Sequence, residues 1–126
     1  MKTEIKQYIE SNIPDLSGKL YPVFTTDINT LSVKYTITPV TGGHLPQSQI
    51  ELVIIGPDYD ECQKIEARLC SLLDMEPDKP PVWAADILFH SELAGGGILF
   101  NDACQMFEDT LYFIIDWRKC NGERKG

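Results

Sequence analysis

Acidic side chains are the residues of this chain whose type and spacing could bind a catalytic metal ion. Asp58, Asp60 and Glu61 lie close together, and paired carboxylates can hold Mg²⁺ in a nuclease. A restriction-type nuclease also needs Glu-x-Lys on a following strand, whereas the nearest match, residues 66–68, reads Glu-Ala-Arg and falls inside a predicted helix. The carboxylates are better explained as residues that cap the start of that helix and match its dipole. The sequence therefore predicts no nuclease site.

Histidine and cysteine, the other common metal ligands and nucleophiles, are scattered along the chain. The two histidines, His44 and His90, lie far apart and outside any HExxH pattern. The cysteines form no CxxC pair, which argues against a zinc ribbon or a thioredoxin-type site; they are Cys62, Cys70, Cys104 and Cys120. We interpret them as reduced thiols of a cytosolic protein. Since no serine lies in a G-x-S-x-G elbow either, we expect no catalytic residue, no metal and no cofactor, and a protein that is not an enzyme.

A run of three glycines, Gly95, Gly96 and Gly97, is the segment closest to a phosphate-binding loop. A P-loop requires Gly-Lys-Ser/Thr at the start of a helix, but here Ile98 and Leu99 follow. We therefore predict a flexible turn, or a close approach of the backbone at an interface, rather than a nucleotide site.

The composition is that of one globular domain, residues 1–126. With 43% hydrophobic and 24% charged residues, the chain can bury a core of its own. Its net charge of −8 and pI near 4.6 argue against binding to nucleic acids or anionic membranes, because these surfaces attract clustered Lys and Arg. The charged first residues do not fit a secretory signal, and Pro39 and Pro46 break the longest uncharged stretch, residues 35–50. We expect a soluble intracellular protein without a membrane span.

The elements that would position a site follow from hydrophobic periodicity. Residues 3–12 are predicted to form a short amphipathic helix that ends before Pro14. Residues 31–38 alternate between apolar and polar side chains, which predicts a strand that Pro39 stops. After a turn that contains Gly42 and Gly43, residues 49–55 are predicted to return as the antiparallel partner of that strand.

The clearest helix spans residues 58–74. Asp58 suits the N-cap and Glu61 the capping-box position, and the apolar stripe includes Ile65, Leu69 and Leu72. Residues 82–91 and 110–119 are predicted to form the third and fourth strands. The predicted fold class is α+β: a mainly antiparallel four- to five-stranded sheet with the long helix packed on one face and a short N-terminal helix.

The last predicted strand carries apolar residues on both of its faces. One face presents Leu111, Phe113, Ile115 and Trp117, and the other presents Tyr112 and Ile114. A sheet packed against helices on one side needs only one apolar face. We interpret the second face as a contact surface.

Several segments together carry a resemblance to a known family. They are residues 33–39 (Val-Lys-Tyr-Thr-Ile-Thr-Pro), Gly42-Gly43, residues 50–55 leading into 58–60, a helix ending in Leu-Leu-Asp-Met at 72–75, the 95–99 loop, and residues 106–110 (Met-Phe-Glu-Asp-Thr) leading into Trp117-Arg118. With these segments the chain resembles, over nearly its whole length, the small lambda-type tail-terminator (minor capsid or tail-completion) proteins of long-tailed phages and prophages.

The resemblance implies a mechanical role in virion assembly. Proteins of that family form a six-membered ring that caps the growing tail tube, stops its polymerisation and offers a joining surface to the head. The implied partners are further copies of the chain, the tail tube protein and a head-completion or connector protein. DNA would only pass through the ring lumen, and an acidic lumen lets it pass without sticking. The implied location is the host bacterial cytoplasm during assembly and then the tail or neck of the virion.

The residues expected at subunit or partner interfaces combine the glycine segments with the second apolar face. They are Gly42, Gly43, Gly95, Gly96, Gly97, Tyr112 and Ile114. Two other interpretations stay open: a different neck or connector component of the same particle, and a small regulatory α+β domain that binds a ligand or peptide. A ring requires extended contacts between subunits, whereas a ligand-binding domain should present one concave pocket and stay monomeric.

Overall fold

A computed structural model describes residues 2–22, 30–41 and 46–119 of the chain. Within these ranges lie two α-helices and six strands, with a 3-10 turn at Pro14–Leu16. They are α1 (Lys2–Asn12), β1 (Leu20–Pro22), β2 (Ser32–Thr41), β3 (Gln47–Gly56), α2 (Tyr59–Leu73), β4 (Val82–Ala84), β5 (Ile87–Asn101) and β6 (Met106–Lys119). No helix in this described part of the chain is long and apolar enough to cross a membrane.

The strands form one curled mixed sheet in the order β1-β2-β3-β6-β5-β4. Every neighbouring pair is antiparallel except β1 and β2, which are parallel. The α+β class and the antiparallel β2–β3 pair are therefore confirmed. The predicted strand count was too low, since β1 and β4 have only three residues each, too few to show a period of two.

Both helices form for reasons that the sequence shows. Asp58 caps α2 by accepting a hydrogen bond from the backbone N–H of Asp60 at 3.0 Å, which satisfies a donor that the helix leaves free. The buried stripe of α2 consists of Cys62, Ile65, Leu69 and Leu73. Leu72, which we expected in that stripe, is only half-buried. In α1 the isoleucines at helical spacing are buried as predicted.

The core lies on one side of the sheet. The buried residues of α1 and α2 belong to one cluster with alternate residues of the central strands, which are Ile50, Leu52, Ile54, Leu111, Phe113 and Ile115. Tyr8 of α1 meets Phe89 of β5 edge-to-face, with ring centroids 5.1 Å apart. Both described helices thus cover the same face, and neither covers the opposite one, which we call the helix-free face.

Two predicted strand boundaries were wrong. Pro39 does not stop β2 but lies within it opposite Ser48, followed by a register shift. A proline is tolerated there because it lacks only an N–H that would point away from the neighbouring strand. The strand predicted at residues 82–91 is two strands, β4 and β5, since Ala85 adopts a φ of 55° and reverses the chain. The turn stands where the apolar alternation gave no sign of one.

Candidate functional site

The most unusual surface of the molecule is the distal half of β5. Ile87, Phe89 and Ser91 are buried, yet every residue from 92 to 100 is exposed. A strand under helices buries alternate side chains, so this stretch extends past the part of the sheet that the helices cover. We call residues 92–101 the distal β5 segment.

The glycine triplet lies inside this segment, so the predicted turn at Gly95–Gly97 is wrong. The three glycines pair with Tyr112, Leu111 and Thr110 of β6, after a register shift between Leu93 and Gly95 that marks a β-bulge at Ala94. Glycine disfavours strands, but continuous pairing with β6 outweighs that preference. At Gly96 the backbone of β5 approaches β6 of the same chain closely, since a Cβ there would lie 2.3 Å from the Thr110 carbonyl oxygen. The close approach at an interface that we offered as an alternative stays a prediction.

Large apolar side chains are exposed along the distal β5 segment. The exposed fractions are 41% for Leu93, 38% for Ile98, 60% for Leu99 and 43% for Phe100. Phe100 contacts Phe107 of β6 with ring centroids 4.9 Å apart. An apolar surface of this extent next to a polar body is typical of a protein contact.

The same aromatic contacts continue to the start of α2. Phe107 packs edge-to-face on Tyr59 with centroids 5.4 Å apart, and Tyr59 is itself 45% exposed. The exposed apolar surface therefore runs from the outer strand across β6 to the first turn of the helix.

The outer edge of the distal β5 segment carries no further strand among the described residues. Before it, β4 pairs with residues 87–89, and the N–H of Met75 donates to the carbonyl of Ser91 at 2.9 Å. The last outward-pointing backbone group of β5 with a described partner is the N–H of Leu93, which donates to Oδ1 of Asp74 at 3.0 Å. From Gly95 onwards no described residue pairs with the outer edge of β5, and such an edge can accept a strand from another chain.

Tyr112 and Ile114 lie on the helix-free face, as the alternation along β6 predicts. Both are half-buried. Tyr112 is in register with Glu51 of β3 and Gly95 of β5, and its hydroxyl donates to the Glu51 carboxylate, which raises the pKa of Tyr112. Tyr112 therefore lies beside Gly95 and Glu51, whereas Gly42 and Gly43 lie outside the described residues.

A buried carboxyl group that sequence reasoning missed lies between β6 and α2. Asp109 is fully buried, and its Oδ2 accepts a hydrogen bond from Nε2 of Gln63 at 3.2 Å. Its Oδ1 receives no donor from the described residues, and the Glu66 carboxyl group is close enough to the Asp109 carboxyl group to influence its titration. Burial, and then the Glu66 charge, raise the pKa of Asp109 to about 6. The signal was available, because Asp109 shares the core-facing parity of Leu111 and Phe113.

The other polar residues that we singled out have local roles. His90 lies within β5 and its Nε2 donates to the Glu76 carbonyl at 2.8 Å. Cys62, Cys70 and Cys104 are free thiols, and burial raises the pKa of Cys62 to about 11. His44 and Cys120 lie outside the described residues. Within the described ranges, no three His, Cys, Asp or Glu side chains are grouped so that they could hold a metal ion.

Comparison with known proteins gives the fold and nothing more. No protein-family model matches the chain, and no curated protein matches it. Among the solved structures that are similar to this chain, one has a TM-score of 0.63 over 94% of this chain and 96% of the other, at 11% sequence identity. At that identity the likeness concerns the architecture of the sheet and helices alone.

Proposed function

We propose that this protein is a tail terminator of a long-tailed phage or prophage, a non-catalytic component that assembles as a ring of six copies. The ring caps the tail tube, stops its polymerisation and presents the joining surface for the head. The observation that carries the proposal is the distal β5 segment, an exposed apolar stretch with an open backbone edge on an otherwise well-packed small domain. The resemblance of the sequence to that family supplies the kind of assembly.

A closed ring needs two different patches on each subunit, one docking on the other. The distal β5 segment supplies one patch, with Leu99 at 60% exposure as its most accessible apolar side chain. A monomeric ligand-binding domain has no need of such a patch, because its ligand would occupy a pocket lined by convergent polar groups.

The helix-free face suits the wall of a channel for DNA. Register pairs place Glu51, Glu92, Glu108 and Asp116 on this face, against two basic residues of the described central strands, Lys34 and Arg118. A wall with excess negative charge repels the phosphate backbone and lets DNA slide. The helices would then lie on the outside of the ring.

Electron microscopy of tails assembled with and without the protein tests the proposal. Without it we expect tails of irregular, extended length that fail to attach heads. Tails of normal length and normal head attachment in its absence would contradict the proposal. The mass of the purified chain with and without tube ends shows whether six copies associate, and moderate salt should favour the ring by screening repulsion between chains of charge −8.

Calorimetric titration tests the absence of catalysis and cofactors that the proposal includes. Titration with Mg²⁺, Zn²⁺ and nucleotides should give no binding heat. Tight stoichiometric binding of any of these would point to an enzyme or a ligand-binding domain instead.

A further inference from the structure

We propose that neighbouring subunits join by sheet-edge pairing: the distal β5 segment of one copy pairs with the open end of β2 in a second copy of this chain. The sheets of the ring then form one continuous closed sheet with its helix-free face towards the channel. This inference rests on the proposed function, and it names the two patches that the ring contact uses.

Beyond the end of β1, no described residue pairs with the outer edge of β2. The N–H of Val33 donates to the Lys19 carbonyl at 2.9 Å, so the odd-numbered residues of β2 point their N–H and C=O groups outward. β1 reaches only as far as Tyr35, opposite Pro22. The outward groups from Ile37 to the end of β2 therefore meet no described strand, and the proline at position 39 fits the same outward series.

The backbone of the distal β5 segment is open in the same way. Leu93 directs its N–H outward to Asp74, and the bulge at Ala94 then shifts the alternation by one residue. The outward N–H and C=O groups thereafter belong to Gly96, Ile98 and Phe100. Each can bond a strand from another molecule.

The directions of the two strands allow this pairing. β2, β3, β6 and β5 alternate in direction, so a copy placed beside β5 in the same orientation presents its β2 antiparallel to β5. The register pairs place Leu99 level with Ser32 across the sheet. The open stretch of β5 therefore lies level with the first half of β2, whereas the open stretch of β2 begins at Ile37. The two open stretches are thus displaced from each other along the strand direction. A closed sheet of tilted strands requires such a stagger between neighbours.

The absence of charged residues favours these two stretches as the place where identical chains make contact. A chain of net charge −8 repels its own copies wherever carboxylates face each other. Residues 35–41 and 93–101 contain no Asp, Glu, Lys or Arg, and each includes one of the open edges. Proteins that keep a sheet edge unpaired usually protect it with charged side chains, especially Lys, and neither stretch has one.

Disulfide cross-linking tests the pairing in the full chain. The variants combine Gly97→Cys or Gly95→Cys with Thr38→Cys or Val40→Cys, in a background with Cys104→Ser and Cys120→Ser. A Cβ at Gly95 or Gly97 meets nothing within 4 Å, so these changes fit the fold. Within one chain the two edges are three strand spacings apart, roughly 14 Å, whereas a disulfide needs Cα atoms within about 7 Å. Any bond therefore joins two copies.

The expected result is a ladder of covalent multimers up to the ring, on tube ends or in assembled tails, for at least one of the four pairs. The matched control pairs Gly97→Cys with Ser71→Cys, which is exposed on α2 and should give no ladder. Full dimerisation of Gly97→Cys alone would overturn the proposal, because it means that β5 pairs with β5.

Proline substitution tests the hydrogen bonds themselves. Ile98→Pro removes an outward N–H and no bond within the chain, whereas Ile98→Val keeps the N–H and an apolar side chain. We expect Ile98→Pro to weaken association about 2- to 10-fold per contact, from the loss of one hydrogen bond, and Ile98→Val to leave it nearly unchanged. Equal association of the two variants would overturn edge pairing.

Failure of this inference can be told from failure of the proposed function. Rings that form on tail ends without a cross-link in any pair overturn the edge pairing and leave the tail-terminator role intact. A ladder from a chain whose deletion leaves tails normal supports the edge pairing and removes the tail-terminator role.

Discussion

The two halves of β5 show how little strand pairing alone says about burial. Both halves pair with β6 without a break in the ladder except the bulge at Ala94. Ile87 and Phe89 are fully buried, while Leu99 is 60% exposed. The difference comes from what lies over the strand: α1 and β4 cover the first half, and no described element crosses the outer edge of the second. Backbone pairing holds the second half in place and leaves its side chains available for contacts.

The largest expected effect on stability comes from comparing a leucine of the buried core with a leucine of the distal β5 segment. Leu69 of α2 is fully buried in the core and Leu99 is exposed. Leu69→Ala should lower the free energy of unfolding by about 2–5 kcal/mol, because it leaves a cavity. Leu99→Ala should change it by less than about 0.5 kcal/mol and should weaken ring formation instead. Urea unfolding of both variants measures the difference; equal losses would mean that the distal half is packed like the core.

The buried carboxyl group under α2 should make stability depend on pH. The pKa of Asp109 rises from 3.8 to about 6 on folding, so the folded chain binds more protons than the unfolded chain between these values. The free energy of unfolding should therefore fall by about 2 kcal/mol as pH rises from 4 to 6, and by less than about 0.5 kcal/mol more at higher pH. Asp109→Asn, which keeps the size and can donate to Glu66, should abolish this slope. A native-like slope in Asp109→Asn would show that another group titrates.

The adjacent glycines Gly96 and Gly97 of the distal β5 segment should differ in how well they tolerate a side chain. A Cβ at Gly96 meets the Thr110 carbonyl at 2.3 Å, while a Cβ at Gly97 has open space. Gly96→Ala should cost about 1–3 kcal/mol by forcing β5 and β6 apart. Gly97→Ala should be neutral or stabilise by about 0.5 kcal/mol, since it restricts the unfolded chain. Thermal unfolding of the pair distinguishes them, and similar midpoints would contradict the close approach.

The smallest expected effect concerns an ion pair on the helix side of the molecule. Arg68 of α2 binds the Asp15 carboxylate, with side chains 44% and 68% exposed. Exposed pairs contribute little, so Arg68→Ala should change stability by less than about 1 kcal/mol and leave ring formation as it is. A loss of assembly in Arg68→Ala would move the subunit contact from the sheet edge to the helices.

The sequence predicts an element well when the residues of that element themselves show a pattern typical of its structure. The α2 helix was predicted to within a residue, since Asp58 and the apolar stripe agree with each other. The distal β5 segment was not, because Gly95, Gly96 and Gly97 have no strand preference and only tertiary pairing with β6 makes them extended. The buried position of Asp109 depended on the register of β6 under α2. The parity of Asp109 with Leu111 and Phe113 indicates the core-facing side of β6, but only the assembled sheet shows that α2 covers this position.

The open edge of the sheet also determines what the chain does when closure fails. A contact between two different patches has no built-in end: it yields a ring only if the angle between successive copies closes, and otherwise it continues as a filament. The local twist added by the bulge at Ala94 contributes to that angle. Deleting Ala94 would remove the bulge and its added twist, while every later residue of β5 keeps its partner on β6 and its face of the sheet. If subunits join by the proposed edge pairing, the expected product is an open fibre of correctly folded subunits in place of a closed ring.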